Sequence, residues 1–156
     1  MITNYYAAFG SNLNHKQMKS RCPAALPYIA SVLQDYVLAF KSVANIIPFP
    51  KKGVPVGIYY ITQACETSLD HFESFPNLYT KKYIKISVAD EVILVMTYVM
   101  NKEYGFGIPS DAYYRVIAEG YNDWGLDNAI LLEAREYAKQ HDDGKAFRSK
   151  RWDEVK

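Results

Sequence analysis

Glu73 ends a helical pattern in which Cys65, Leu69 and Phe72 recur at i, i+4 and i+7, and Pro76 must stop that helix. A carboxylate there borders the apolar stripe and lies at the negative end of the helix dipole. Both disfavour its charge and push its pKa toward neutrality, where a general base works. Glu66 and Asp70 precede it at the same spacing, so a solvated acidic stripe would account for all three carboxylates. A second feature is Gly10-Ser11-Asn12, which directly follows the apolar run Tyr5 to Phe9. Such a turn lets backbone N–H groups converge on one point, a nest for an anion or a developing oxyanion. Ordinary strand-to-helix turns use the same residues. Tyrosine is the third: Tyr79, Tyr83, Tyr98, Tyr104, Tyr113 and Tyr114 cluster in the second half of a chain that holds 14. Phenols offer flat walls with a polar tip, suited to a core rim or to a pocket.

Other chemistries lack their residues. No G-x-x-x-x-G-K, G-x-G-x-x-G or G-x-S-x-G occurs, and no Ser or Cys pairs with a His in sequence. His15, His71 and His141 are too scattered for a metal site, and no cofactor is expected.

These residues need elements to hold them. Tyr5 to Phe9 reads as a buried strand and Asn14 to Cys22 as one or two helical turns before Pro23. Tyr28 to Val43 reads as two strands around Gln34-Asp35, and Pro48, Pro50, Gly53 and Pro55 mark a loop that feeds a strand at Val56 to Ile61. Tyr83 to Val88 and Val92 to Met100 form a hairpin about Ala89-Asp90-Glu91, with Tyr98 on the strand face of Val92, Leu94 and Met96. Ser110 caps a helix through Glu119. A last helix, Asp127 to about Gln140, turns Ile130, Leu131, Ala134, Tyr137 and Ala138 inward. Many strands with few helices predict an α+β fold, a small, mostly antiparallel or mixed β-barrel flanked by helices.

The 156 residues suit a single domain, expected over residues 1–141, with 142–156 a polar C-terminal tail. Net charge of +1 and 22% charged residues argue against nucleic acid or an anionic membrane as partner. No run reaches the ~20 apolar residues of a membrane helix. Met1 to Tyr6 carries no signal pattern, and Cys22 and Cys65 fit reduced thiols, so a cytoplasmic monomer or homodimer is expected. Lys145 to Trp152 interleaves basic and aromatic residues that could touch RNA, but the acidic residues flanking it favour a solvated tail.

Several blocks together resemble the γ-glutamylcyclotransferase-like (AIG2-like) family. Tyr6-Ala7-Ala8-Phe9-Gly10-Ser11-Asn12-Leu13 is similar to its Y-G-S-N-L motif, and Arg21-Cys22-Pro23, Ala44 to Pro48 and Val56 to Tyr60 resemble further blocks. Leu69 to Glu73 with Pro76 and Tyr79, then Pro109-Ser110 with Tyr113 and Gly120, follow in order. The resemblance implies a β-barrel with helices and a catalytic general base at Glu73. It also implies a substrate-binding segment Tyr6, Ala7, Ala8, Phe9, Gly10, Ser11, Asn12 and Leu13, with Tyr79, Tyr98 and Tyr113 at the substrate. The activity implied is release of 5-oxoproline and a free amine or amino acid from a γ-glutamyl amide, with no metal or cofactor. A non-catalytic module binding a small ligand on the same barrel is the alternative. Phe9 stands where the motif usually has Tyr, and Ser74 where Gly usually follows the catalytic Glu. Asn12 departs from the Y-G-S-L of the glutathione-specific branch. The leaving group is expected to meet the loops Lys51 to Pro55 and Tyr104 to Pro109.

Overall fold

The computed structural model describes residues 4–153. Residues 1–3, part of the segment read for a signal, and 154–156 of the tail lie outside them. The chain runs β1 (Asn4–Ala8), a 3-10 turn (Ser11–Leu13), α1 (His15–Arg21), β2 (Leu26–Lys41), β3 (Val43–Ile61) and α2 (Gln63–Phe72). It continues with β4 (Tyr79–Val88), β5 (Glu91–Met100), α3 (Asp111–Trp124), α4 (Ala129–His141) and α5 (Lys150–Asp153). The strands form one mixed five-stranded sheet in the order β2-β3-β1-β5-β4, flanked by helices. The α+β expectation holds, with the sheet left open along β2 and β4 instead of closing into a barrel.

β1 is the middle strand. It pairs antiparallel with β3, Tyr6 opposite Tyr59, and parallel with β5, Tyr6 opposite Met96. The buried Thr97 hydroxyl adds a hydrogen bond to the Ala7 carbonyl at 2.8 Å. Ala7 and Ala8 are small because the core closes over both. β4 and β5 form the expected hairpin. Ala89 and Asp90 take φ of 44° and 66°, the left-handed pair that a two-residue turn needs to match the strands' twist.

Two readings of the sequence change. The two strands expected around Gln34-Asp35 are one strand with an irregularity there, and the Pro-rich loop is part of β3. Pro48 pairs with Tyr36 and Gly53 with Gln34, so Phe49 to Lys52 bulge outward opposite Asp35. The Asp35 carboxylate accepts from the Lys51 N–H at 3.0 Å, replacing the missing ladder bond. Prolines can stand here because bulges and strand edges free them from donating. Tyr137 also departs: it is 48% exposed and stacks on His141 at 3.9 Å, while Leu131, Ala134 and Ala138 are buried. Its aromatic partners, Phe106 included, give it a surface site that needs no core.

The expected solvated tail is packed. Gly105 N–H bonds the Lys145 carbonyl at 3.0 Å, the Ser42 hydroxyl donates to the Phe147 carbonyl, and Ser149 is only 8% exposed. The Trp152 ring lies 4.8 Å from that of Tyr113. The aromatic residues of this segment drive the difference, since burying their rings outweighs the solvation of neighbouring charges.

Candidate active site

Glu73 caps α2. Thr62 opens that helix by accepting from the Cys65 N–H, and Cys65 and Leu69 bury one face. The Glu73 N–H closes the last turn onto the Leu69 carbonyl at 2.8 Å. Ser74 then takes φ of 50°, a left-handed conformation in which glycine carries no steric penalty. The helix end thus has the geometry that the usual Gly favours, reached here by a serine.

The acidic stripe is divided. Lys81 bridges Glu66 at 2.7 Å and Asp70 at 3.0 Å, and Tyr98 donates to the other Asp70 oxygen at 2.6 Å. Glu73 turns away from both, to the side chain of Asn12 on the Gly10 turn, whose Nδ2 donates to its Oε1 at 3.3 Å.

Asn12 is the hub of that turn. Its amide also donates to the Tyr6 hydroxyl at 3.0 Å, and its Oδ1 accepts from Arg21 at 2.9 Å. The Gly10 and Ser11 carbonyls accept from the Leu13 and Asn14 N–H groups, which leaves the Ser11 and Asn12 N–H groups, the first of the turn, without an acceptor inside it. Tyr59 and Trp124 hold the other side, donating to the Asn12 and Leu13 carbonyls at 2.8 Å each. α3 closes from behind at Gly120, where a Cβ would sit 2.6 Å from the Asn14 nitrogen.

A cavity of about 390 Å³ joins these parts. Tyr6, Phe9, Gly10, Ser11, Asn12, Glu73, Tyr79, Tyr98 and Tyr113 all line it. Ala7, Ala8 and Leu13 do not; they are core residues under the turn. Tyr113 and Tyr79 bracket one residue, the first accepting from the Ala44 N–H at 2.9 Å and the second donating to the Ala44 carbonyl at 2.7 Å. The loops Lys51 to Pro55 and Tyr104 to Pro109, expected at the leaving group, are absent from the lining, which Phe147 to Trp152 join instead. Arg21, Arg151 and Phe72 also line it, and sequence reasoning gave them no site role. For Arg151 the available signal was the interleaving of bases and aromatics in the tail.

Burial pushes the Glu73 carboxyl up to about 7, against the pull of the Arg21 and Arg151 guanidiniums. Burial also raises the phenols of Tyr6, Tyr79 and Tyr113, so these stay protonated near neutrality while Glu73 exchanges a proton. Replacing Arg21 by Gln removes one opposing charge and should raise the Glu73 pKa further. The expected result is an acid limb of the rate profile moved above pH 7, with activity near pH 6.5 falling more than activity near pH 8.5. An unshifted limb would show that Arg21 does not act on Glu73.

One carboxylate poised near neutrality, bonded to the Asn12 side chain of the Gly10 turn inside an aromatic pocket, makes a small-molecule site suited to proton transfer. The family follows from residues 6–124, which match the model of "Gamma-glutamyl cyclotransferase, AIG2-like": the chain belongs to that family. Solved structures share the fold. A gamma-glutamyl cyclotransferase superposes with a TM-score of 0.73 at 24% identity, covering 97% of this chain and 96% of its own. YkqA from Bacillus subtilis gives 0.74 at 14%, covering 88% and 55%. A glutathione-specific γ-glutamyl cyclotransferase from yeast gives 0.57 at 10%, covering 88% and 98%. No match is found among the curated proteins.

Proposed function

We propose that the protein releases 5-oxoproline from a γ-glutamyl amide, with Glu73 as general base and then general acid. The observation that carries this is the Glu73 carboxylate 3.3 Å from the side-chain amide of Asn12 on the Gly10 turn, both lining one cavity. The substrate brings its own nucleophile, the α-amine, which is mostly protonated at neutral pH. Glu73, with a pKa near 7, takes its proton. The amine nitrogen attacks the γ-carbonyl carbon and closes a five-membered ring. The carbonyl oxygen gains charge that the Ser11 and Asn12 N–H groups can meet. Glu73 returns the proton to the departing nitrogen and the original C–N bond breaks; the ring nitrogen gives its second proton to the departing amine, which leaves as an ammonium ion, and no water is consumed. Ring closure depends above all on the substrate being held folded, which is the task of the Tyr6, Tyr98 and Tyr113 walls.

The test is incubation with a panel of γ-glutamyl dipeptides and γ-glutamylamines, with mass detection of 5-oxoproline. The expected result is enzyme-dependent release from at least one class, rising with pH through about 7 as Glu73 ionises. Stabilisation by these compounds without any 5-oxoproline would favour a binding module instead.

A further inference from the structure

The chemistry above uses Glu73, the turn and Arg21, but not the cations that the C-terminal segment brings to the cavity. Arg148, Lys150 and Arg151 line it together with Arg21, so four basic residues and one carboxylate, Glu73, share its lining. Two of the four are committed. Arg21 bonds Asn12 and lies 4.6 Å from the Phe72 ring centre, and Arg151 donates to the Phe72 carbonyl at 3.2 Å. Among the described residues, the side chains of Arg148 and Lys150 have no ion pair or hydrogen bond. Their backbone is nonetheless fixed, with buried Ser149 between them, Phe147 tied to Ser42 and Trp152 packed on Tyr113. Two cations without partners on an anchored segment are free to take an anion.

The γ-glutamyl half of every such substrate carries the same ammonium and carboxylate, so only the leaving group varies in charge. We infer that Arg148 and Lys150 bind a carboxylate on the leaving group, making γ-glutamyl amino acids better substrates than γ-glutamylamines. This inference rests on the cyclotransferase reading. Both side chains are exposed, so each contributes modestly and is screened by salt. A combined preference of about tenfold is expected.

γ-Glutamyl-alanine and γ-glutamylethylamide differ by one carboxylate and make the test. The expected kcat/KM is about tenfold higher for the first, with the gap narrowing at about 0.5 M salt. The double variant R148Q/K150Q should lose that advantage on γ-glutamyl-alanine and keep its rate on γ-glutamylethylamide. Equal rates in the unaltered protein would overturn the inference. So would an equal fall on both compounds, which would assign the two cations to the γ-glutamyl carboxylate. Calorimetric binding of the same pair to E73Q, with and without the double change, separates this from the chemistry. A binding preference without turnover by the unaltered protein would keep the carboxylate site and overturn the cyclotransferase reading. Turnover of both compounds without preference would do the reverse, and binding of neither would remove both.

Discussion

Glu73→Gln should lower 5-oxoproline production by about 10²- to 10⁴-fold, the usual contribution of a positioned acid–base group. The amide keeps the size of the carboxylate and can still accept from Asn12, so the pocket has no reason to collapse. What is lost is the ability to take the ammonium proton and return it to the departing nitrogen. Stability should move the other way. A carboxyl whose folded pKa of about 7 lies above its ordinary 4.5 makes the native state bind the proton more tightly. The stability it lends is full below 4.5 and is lost as pH rises through about 7. Glutamine has no such dependence, so the melting temperature of E73Q relative to the unaltered protein should climb across that interval. Thermal melts over pH, run beside the product assay, check both halves. Turnover retained at the original rate would remove Glu73 from the mechanism.

The second large effect belongs to a residue outside the cavity. Gly120→Ala adds a Cβ that would lie 2.6 Å from the Asn14 backbone nitrogen and 2.7 Å from the Leu13 Cβ. Neither neighbour can swing aside: Asn14 caps α1 and bonds the Val116 carbonyl, and the Leu13 carbonyl is held by Trp124. α3 must therefore retreat or push the turn toward the cavity. Overpacking of this kind costs about 1–3 kcal/mol, or several degrees in melting temperature. Activity should fall further than the folded fraction does, by about tenfold or more, because the Gly10 turn shifts relative to Glu73. A variant that melts lower but works normally once folded would show that the turn tolerates displacement.

The sequence carried the elements better than their partners. Apolar spacing at Cys65, Leu69 and Phe72 was enough to draw α2 and place Glu73 at its end, because that periodicity is the helix's own geometry. Ser110 as a cap and Ala89-Asp90 as a hairpin tip were legible for the same local reason. The bulge at Phe49 to Lys52 was not, since prolines and a glycine mark a loop and a bulged strand alike. What separated Glu73 from Glu66 and Asp70 was Lys81, which lies on another strand and reaches the helix only in the folded chain. The same holds for Arg21 and Arg151: a side chain on α1 and another on α5 meet Glu73 through tertiary packing. The tail's packing was not legible because the partners of Phe147 and Trp152, Tyr104 and Tyr113, meet them only in the folded chain.

The position of β1 bears on which parts of the molecule can vary. It is paired along both edges, and the Gly10 turn springs directly from its end. Two tips stand outside the cavity lining, the bulge of β3 that faces Asp35 and the bend at Ala89-Asp90 between β4 and β5. Insertions or substitutions at those tips change the outline of the protein without moving the Ser11 and Asn12 N–H groups. The fold therefore separates a freely editable perimeter from a fixed centre, and relatives can diverge widely in outline around one unmoved turn.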